Sequence, residues 1–221
     1  MFLSRVTLDL RRLNIAMMKK WLSAEQPYAC HQWLWQLFPQ DQQRNYLFRQ
    51  EYSAAQGLFY VLSKNKPQQD HNLLHVETKP FSPQINKGMY LNFCLRANPV
   101  VTRNNKRSDV LMDAKYHAKK QDIPQEKWWE LQENAAQEWL VTQGEQRGFC
   151  LVPNINNLPN VVAHQQQRFI RREGENPITF SWVDYSGYLK VTEPEAFLNV
   201  LYNGLGKSKS LGCGLLMIKR G

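Results

Sequence analysis

The sequence predicts an α+β fold with antiparallel sheets, built as two similar domains in tandem, and three observations carry this. Short stretches with apolar residues at every second position alternate with a few helical stripes, and Gly, Pro, Asn or Asp punctuates the joins. The order strand, helix, strand, strand recurs in both halves. With 43% of its 221 residues hydrophobic, the chain is long enough for one sizeable core or two small ones of about 100 residues each.

Residues 2–10 alternate faces as a strand does, and a charged stretch follows. Pro27 opens a helix in which Cys30, Trp33, Leu34, Leu37 and Phe38 recur at helical spacing, a stripe expected to face a sheet, and Pro39 ends it. Residues 46–52, 57–63 and 74–81 read as strands, with the longest loop at 64–72. A second unit starts near Lys87. Its first strand, 89–97, is interrupted at Asn98-Pro99, a polar basic loop follows, and 124–146 is helical with Trp128, Leu131, Ala135 and Trp139 on one side. Residues 149–152, 161–170 and 178–191 are strands, the last two a long ribbon bent at Tyr185-Ser186-Gly187. Thr192 and Glu195 form a capping box with Pro194 in the first turn. That helix runs through Tyr202, a glycine-rich loop covers 204–214, and 215–219 closes the sheet. This is the β-α-β-β-α-β ferredoxin-like plan, less complete in the first half than in the second. The domains are expected at 1–86, with the helix from Pro27, and at 87–221, with the basic ribbon and the glycine loop.

Charge points to an anionic partner. Lys plus Arg number 28 against 19 Asp plus Glu, a net +9. No acid lies between Glu77 and Asp109, a stretch holding Lys79, Lys87, Arg96, Arg103, Lys106 and Arg107. A second positive block contains Arg168, Arg171 and Arg172; a third contains Lys207, Lys209, Lys219 and Arg220. Each run alone reads as a solvated face, and the three together favour a polyphosphate ligand. Apolar runs such as 215–218 fall far short of the roughly 20 residues that cross a bilayer, so no membrane association is expected. The start lacks the apolar region of a secretory signal, and a cytoplasmic location is expected. Cys30, Cys94, Cys150 and Cys213 contain no C-x-x-C pair, which argues against a zinc site and a disulfide framework and leaves buried, reduced thiols.

At 100° per residue, Tyr28, His31 and Trp35 fall within about 60° of one another on the flank of the apolar stripe. His31 can exchange a proton near neutral pH, and a neighbouring phenol can orient a hydroxyl. The same spacing suits a helix-flank histidine bonding a carbonyl beside a packed tyrosine. The loop from Gly204 to Gly214 holds Lys207, Ser208 and Lys209 among its glycines, letting backbone N–H groups approach a phosphate; a flexible turn with solvated lysines is the alternative. It is not a Walker A loop, because position 201 is Leu and the segment runs from helix to strand. Arg168 and Arg172 share one strand face and Arg171 the other. His71 and His75 are set aside as zinc ligands, since they fall in a loop and a strand with no completing ligand.

Four segments together resemble the CasE family of CRISPR-associated endoribonucleases: the start Met-Phe-Leu-Ser-Arg-Val, the tract Pro27-Tyr-Ala-Cys-His31-Gln-Trp-Leu-Trp-Gln-Leu-Phe-Pro39, the tract Phe93-Cys-Leu-Arg-Ala-Asn-Pro99, and the glycine loop running into Leu215. The resemblance spans the chain in order. It implies two RRM-like domains, metal-independent cleavage of a CRISPR repeat stem-loop in precursor RNA, no small-molecule cofactor, and retention of the product with other Cascade subunits. It also implies that Tyr28 joins His31 at the scissile phosphate and that Arg168, Arg171 and Arg172 enter the stem groove. Lys207, Ser208, Lys209, Arg103, Lys106 and Arg107 are the further RNA-binding candidates. Some relatives carry Lys in the turn after the histidine where this chain has Gln36, which leaves the transition-state cation to Lys207 or Lys209. The expected reaction is attack by the ribose 2′-OH, giving a 2′,3′-cyclic phosphate or 3′-phosphate and a 5′-OH. The alternative is an RNA-binding scaffold subunit that cuts nothing.

Overall fold

The computed structural model describes residues 1–220 apart from 24–25, 52–56, 70, 104–105, 154–160 and 170–177, and for 103, 106, 162, 167–169 and 178–180 it describes the backbone alone. The chain divides into two compact units. One comprises Met1–Gln84, Gln167–Thr179 and Ser208–Leu215; the other comprises Ile85–Gln166, Phe180–Lys207 and Leu216–Gly221. The segment Ser208–Leu215, which the sequence places with 87–221, thus clusters with the first unit.

In the first unit, alternation in β1 (Phe2–Leu8) buries Ser4, Val6 and Leu8 on one face. Then follow α1 (Ile15–Trp21), α2 (Gln26–Trp35), β2 (Tyr46–Glu51), β3 (Gly57–Ser63) and β4 (Leu74–Pro80). The sheet order is β2-β3-β1-β4, antiparallel throughout, with Val6 opposite both Phe59 and Val76. The stripe Cys30, Trp33, Leu34, Leu37 and Phe38 is buried against Val6, Phe48, Phe59 and Val61, as its spacing predicts. Each such side chain contributes about 1.5–3 kcal/mol when taken out of water. Helix α1 is not apparent from the sequence. Asn14 caps it by accepting from the Met17 N–H at 2.9 Å, no residue in it is fully buried, and Trp21 stacks on Trp33 with ring centroids 6.2 Å apart.

The second unit contains β5 (Tyr90–Ala97), β6 (Val100–Arg103), β7 (Lys106–Asp109), α3 (Val110–Lys120), α4 (Trp128–Gln146), β8 (Phe149–Val152), β9 (Val161–Phe169), β10 (Ile178–Val191), α5 (Pro194–Asn203) and β11 (Leu216–Arg220). Its sheet runs β11-β5-β10-β8, with β9 alongside β10. In the first unit the first and third strands are central and the second and fourth flank them; in the second, β9 aside, β5 and β10 are central and β8 and β11 flank them, which is the same ferredoxin-like order.

Four expectations differ from the structure. The stretch after Pro99 is a hairpin and a helix rather than a loop, because the Asp109 side chain caps α3 by accepting from the N–H groups of Leu111 and Met112 at 2.9 and 3.0 Å. The buried stripe of α4 is Gln132, Ala136, Trp139, Leu140 and Gly144, one residue on from Leu131 and Ala135, and Trp129 stays exposed. No capping box forms at α5. The Gly148 carbonyl accepts from both Thr192 and Glu193 N–H, which keeps the entering chain extended and moves the cap position to Glu193. Cys150 is exposed, because it alternates with the inward Phe149 on β8; the other cysteines are buried or half-buried, and none forms a disulfide. No described helix is long and apolar enough to cross a membrane.

Candidate active site

Helix α2 turns Ala29, Cys30, Trp33 and Leu34 into the core, which leaves Tyr28 and His31 half-buried on its flank. The His31 ring is held from two sides. Trp35, one turn on, meets it edge-on with centroids 5.5 Å apart. From β2, the Tyr46 hydroxyl lies 3.0 Å from His31 Nδ1 and donates to the His31 carbonyl at 3.1 Å. Tyr46 is itself buried, with Phe38 stacked on it at 5.0 Å and the Arg44 guanidinium over its ring at 5.9 Å. Arg44 also donates to the Tyr46 carbonyl. Burial raises the Tyr46 phenol well above its usual range and pulls the half-buried Arg44 below its own. The cluster therefore combines a partly exposed imidazole, a phenol that stays protonated, and a cation.

The glycine loop reaches the same helix. Its backbone enters the left-handed region at Gly204, Gly206, Ser208, Gly212 and Gly214, and a 3₁₀ turn over Lys209–Leu211 packs on α2 and β2. Gly212 is required there twice over: its φ is +84°, and a Cβ would lie 3.2 Å from the Phe48 ring. Ser208 takes φ +53° without being glycine, and its carbonyl accepts from Leu211 N–H at 2.9 Å. A serine in this region is an uncommon conformation. On the second unit, Lys207 bridges Asn98 as antiparallel backbone partners, which joins the loop to the tract around Asn98-Pro99. Asn98 also donates to the Ser181 carbonyl. In that tract, Arg96 is committed to structure. It is 5% exposed, makes two hydrogen bonds to the Asp184 carboxylate at 2.9 and 2.7 Å, and lies over Trp182.

The residues named from sequence therefore divide. Tyr28 and His31 lie on α2, on which the turn containing Lys209 packs within the first unit, with Ser208 leading into that turn. Lys207 belongs to the second unit, as do Arg103, Lys106 and Arg107 of the paired strands β6 and β7, where Arg103 and Lys106 are backbone partners. Arg168 lies in β9; Arg171 and Arg172 fall outside the described residues. Tyr46 and Arg44 were not anticipated, because their partner sits on another element and no spacing links them. His71 is a loop residue whose Nδ1 accepts from the Leu73 and Leu74 N–H groups at 3.2 and 3.3 Å. Its Nε2–H then donates to Gln36 at 3.1 Å, so Gln36 is tied to His71.

Comparison with known proteins adds to this geometry. The model of a family described as CRISPR associated protein matches residues 1–220. The chain is 29% identical over 210 residues to the CRISPR system Cascade subunit CasE of Escherichia coli K12, covering 86% of this chain and 90% of that one. It is 31% identical over 147 residues to the CRISPR-associated endoribonuclease Cse3 of Thermus thermophilus, covering 63% of this chain and 60% of that one. Among solved structures, Thermus thermophilus Cse3 bound to an RNA representing a pre-cleavage complex superposes with a TM-score of 0.71 at 24% identity over 99% of this chain and 98% of that one, a likeness of fold.

Proposed function

The chain belongs to the family of CRISPR-associated proteins, and on that premise we propose that it is a metal-independent endoribonuclease. It cuts the repeat stem-loop of precursor CRISPR RNA and stays on the product with other Cascade subunits in the cytoplasm. The observation that carries this reading is the packing, within one unit, of the Lys209–Leu211 turn on α2, the helix that carries the half-buried His31. The names of the relatives, a Cascade subunit and an endoribonuclease, support the substrate class and the assembly.

In the proposed reaction the ribose 2′-OH attacks the adjacent phosphorus. The O2′–P bond forms, the P–O5′ bond breaks, one proton leaves O2′ and one reaches O5′. His31 carries one of these protons, a contribution of about 10² to 10⁴ in rate. Tyr28 orients the sugar hydroxyl or a non-bridging oxygen. The amides of the loop from Ser208 onward, with Lys209 or Arg44, stabilise the added charge on phosphorus, and Lys207 is a further RNA contact. No divalent ion is called for, because the nucleophile belongs to the substrate. Arg103, Lys106, Arg107, Arg168, Arg171 and Arg172 supply phosphate contacts to an A-form stem, whose narrow major groove limits base reading.

A single 2′-deoxy substitution at the scissile nucleotide tests this. The substituted stem-loop is expected to bind with unchanged Kd and resist cutting. Cutting of the deoxy substrate at the same bond rules out 2′-OH attack.

A further inference from the structure

The Tyr46 hydroxyl meets His31 at two atoms, Nδ1 and the carbonyl oxygen. A phenol has one proton to give and lone pairs to receive others. The His31 carbonyl, 3.1 Å away, is an acceptor only, so the phenol proton goes there. The 3.0 Å contact between the same oxygen and Nδ1 is then made with Nδ1–H as donor. We infer that Tyr46 is a positioning residue that fixes neutral His31 as its Nδ1–H tautomer, so that Nε2 carries the lone pair and is the atom on which the reaction's proton travels. This rests on the endoribonuclease reading for its consequence in catalysis, though not for the tautomer itself.

The supporting side chains make the arrangement rigid. Tyr46 is 4% exposed, lies flat against Phe38 at an interplanar angle of 17°, and is held through its own carbonyl by Arg44. Trp35 sets the ring plane of His31 from the other side, at 87°. When Nε2 takes a proton from the 2′-OH, the O–H bond breaks, an N–H bond forms, and the ring becomes an imidazolium donating through both nitrogens. The hydrogen bond from Nδ1 to Tyr46 then becomes charge-assisted and stronger. The interaction favours the cation and so assists a base at this position. His71 provides an internal contrast, since its Nδ1 accepts two backbone N–H groups and its proton must sit on Nε2.

The test is a ring nitrogen–carbon-proton correlation spectrum of the full chain labelled with ¹⁵N-histidine, at about pH 8.5, well above the ordinary imidazole value of about 6.5. Signals are assigned by His31→Gln and His71→Gln spectra. His31 is expected to show the Nδ1–H pattern and His71 the Nε2–H pattern, and in Tyr46→Phe the His31 pattern is expected to move toward Nε2–H, the form favoured in water. The same variant is expected to cut repeat RNA more slowly, on the order of tenfold, with unchanged RNA affinity and with the imidazole limb of its pH–rate profile shifted to lower pH. An Nε2–H pattern for His31 in the unsubstituted protein overturns the inference without any variant, even if RNA is cut. A spectrum or cleavage rate unchanged in Tyr46→Phe overturns it as well. The expected spectra in a protein that cuts no repeat RNA leave the tautomer assignment standing and remove the endoribonuclease reading instead.

Discussion

His31 sits where two requirements meet: enough burial to fix a ring between Trp35 and Tyr46, and enough exposure to meet a substrate. A fully buried imidazole would be structural, and a fully exposed one would have no preferred orientation. Tyr28, one turn earlier, gives a second prediction at this scale. Tyr28→Phe keeps the ring and its packing, so thermal stability is expected to stay within about 0.5 kcal/mol, as for most changes outside the core. Single-turnover cleavage is expected to fall several-fold to about tenfold, the worth of one positioned hydrogen bond. An equal loss of RNA affinity would place Tyr28 in binding rather than in orienting the sugar. The helix face that carries Tyr28 and His31 was legible in the sequence, because helical periodicity sorts core from flank residue by residue. Tyr46 was not legible: it is 15 residues from His31 and on another element, and periodicity says nothing about which side chains meet across elements.

Elements divide in the same way. Strands β3, β8 and β10 and the stripe of α2 follow from alternation or helical spacing, because each buries one continuous face. Helices α1 and α3 break that condition. The first has no fully buried residue and the second buries Val110, Leu111 and Ala118 among lysines and histidine, so neither presents an apolar stripe to read. What marks them is a cap, Asn14 and Asp109. Two substitutions test the roles assigned to elements. Gly212→Ala and Gly88→Ala both force alanine into φ of +84°, a strain of about 1–2 kcal/mol. A Cβ at Gly88 meets nothing, whereas at Gly212 it presses on Phe48. Gly212→Ala is therefore expected to lose more stability and to slow cleavage by displacing the Lys209 turn, while Gly88→Ala retains cleavage in the same assay. Arg96→Ala is expected to destabilise the protein by about 3–5 kcal/mol, because it leaves the Asp184 carboxylate without its buried partner. Normal melting with weakened RNA binding would instead place Arg96 at the RNA interface.

For the molecule as a whole, the net charge of +9 makes RNA affinity depend on salt. Log Kd is expected to rise with log salt at a slope of about 0.7 to 0.9 per phosphate neutralised. Stability should also depend on acid in a defined direction. Burial holds His71 and His164 below their ordinary value, and His164 Nε2 is enclosed near the Trp129 ring without a hydrogen-bond partner among the described residues. Below about pH 6.5 the unfolded chain therefore binds more protons than the folded one at these positions. Their contribution is complete above that pH and is lost as pH falls. Melting temperature is expected to drop on acidification below that point, and His164→Gln should flatten the drop.

In the proposed reaction His31 moves a proton at a ribose–phosphate junction. The most direct measurement is cleavage of the cognate repeat stem-loop in EDTA by the unsubstituted protein and by His31→Ala, with the RNA ends identified by mass. Cutting to a 2′,3′-cyclic or 3′-phosphate and a 5′-OH, reduced about 10² to 10⁴-fold in the variant while RNA binding persists, is the predicted result. Undiminished cutting by His31→Ala, or products bearing a 5′-phosphate, would contradict it.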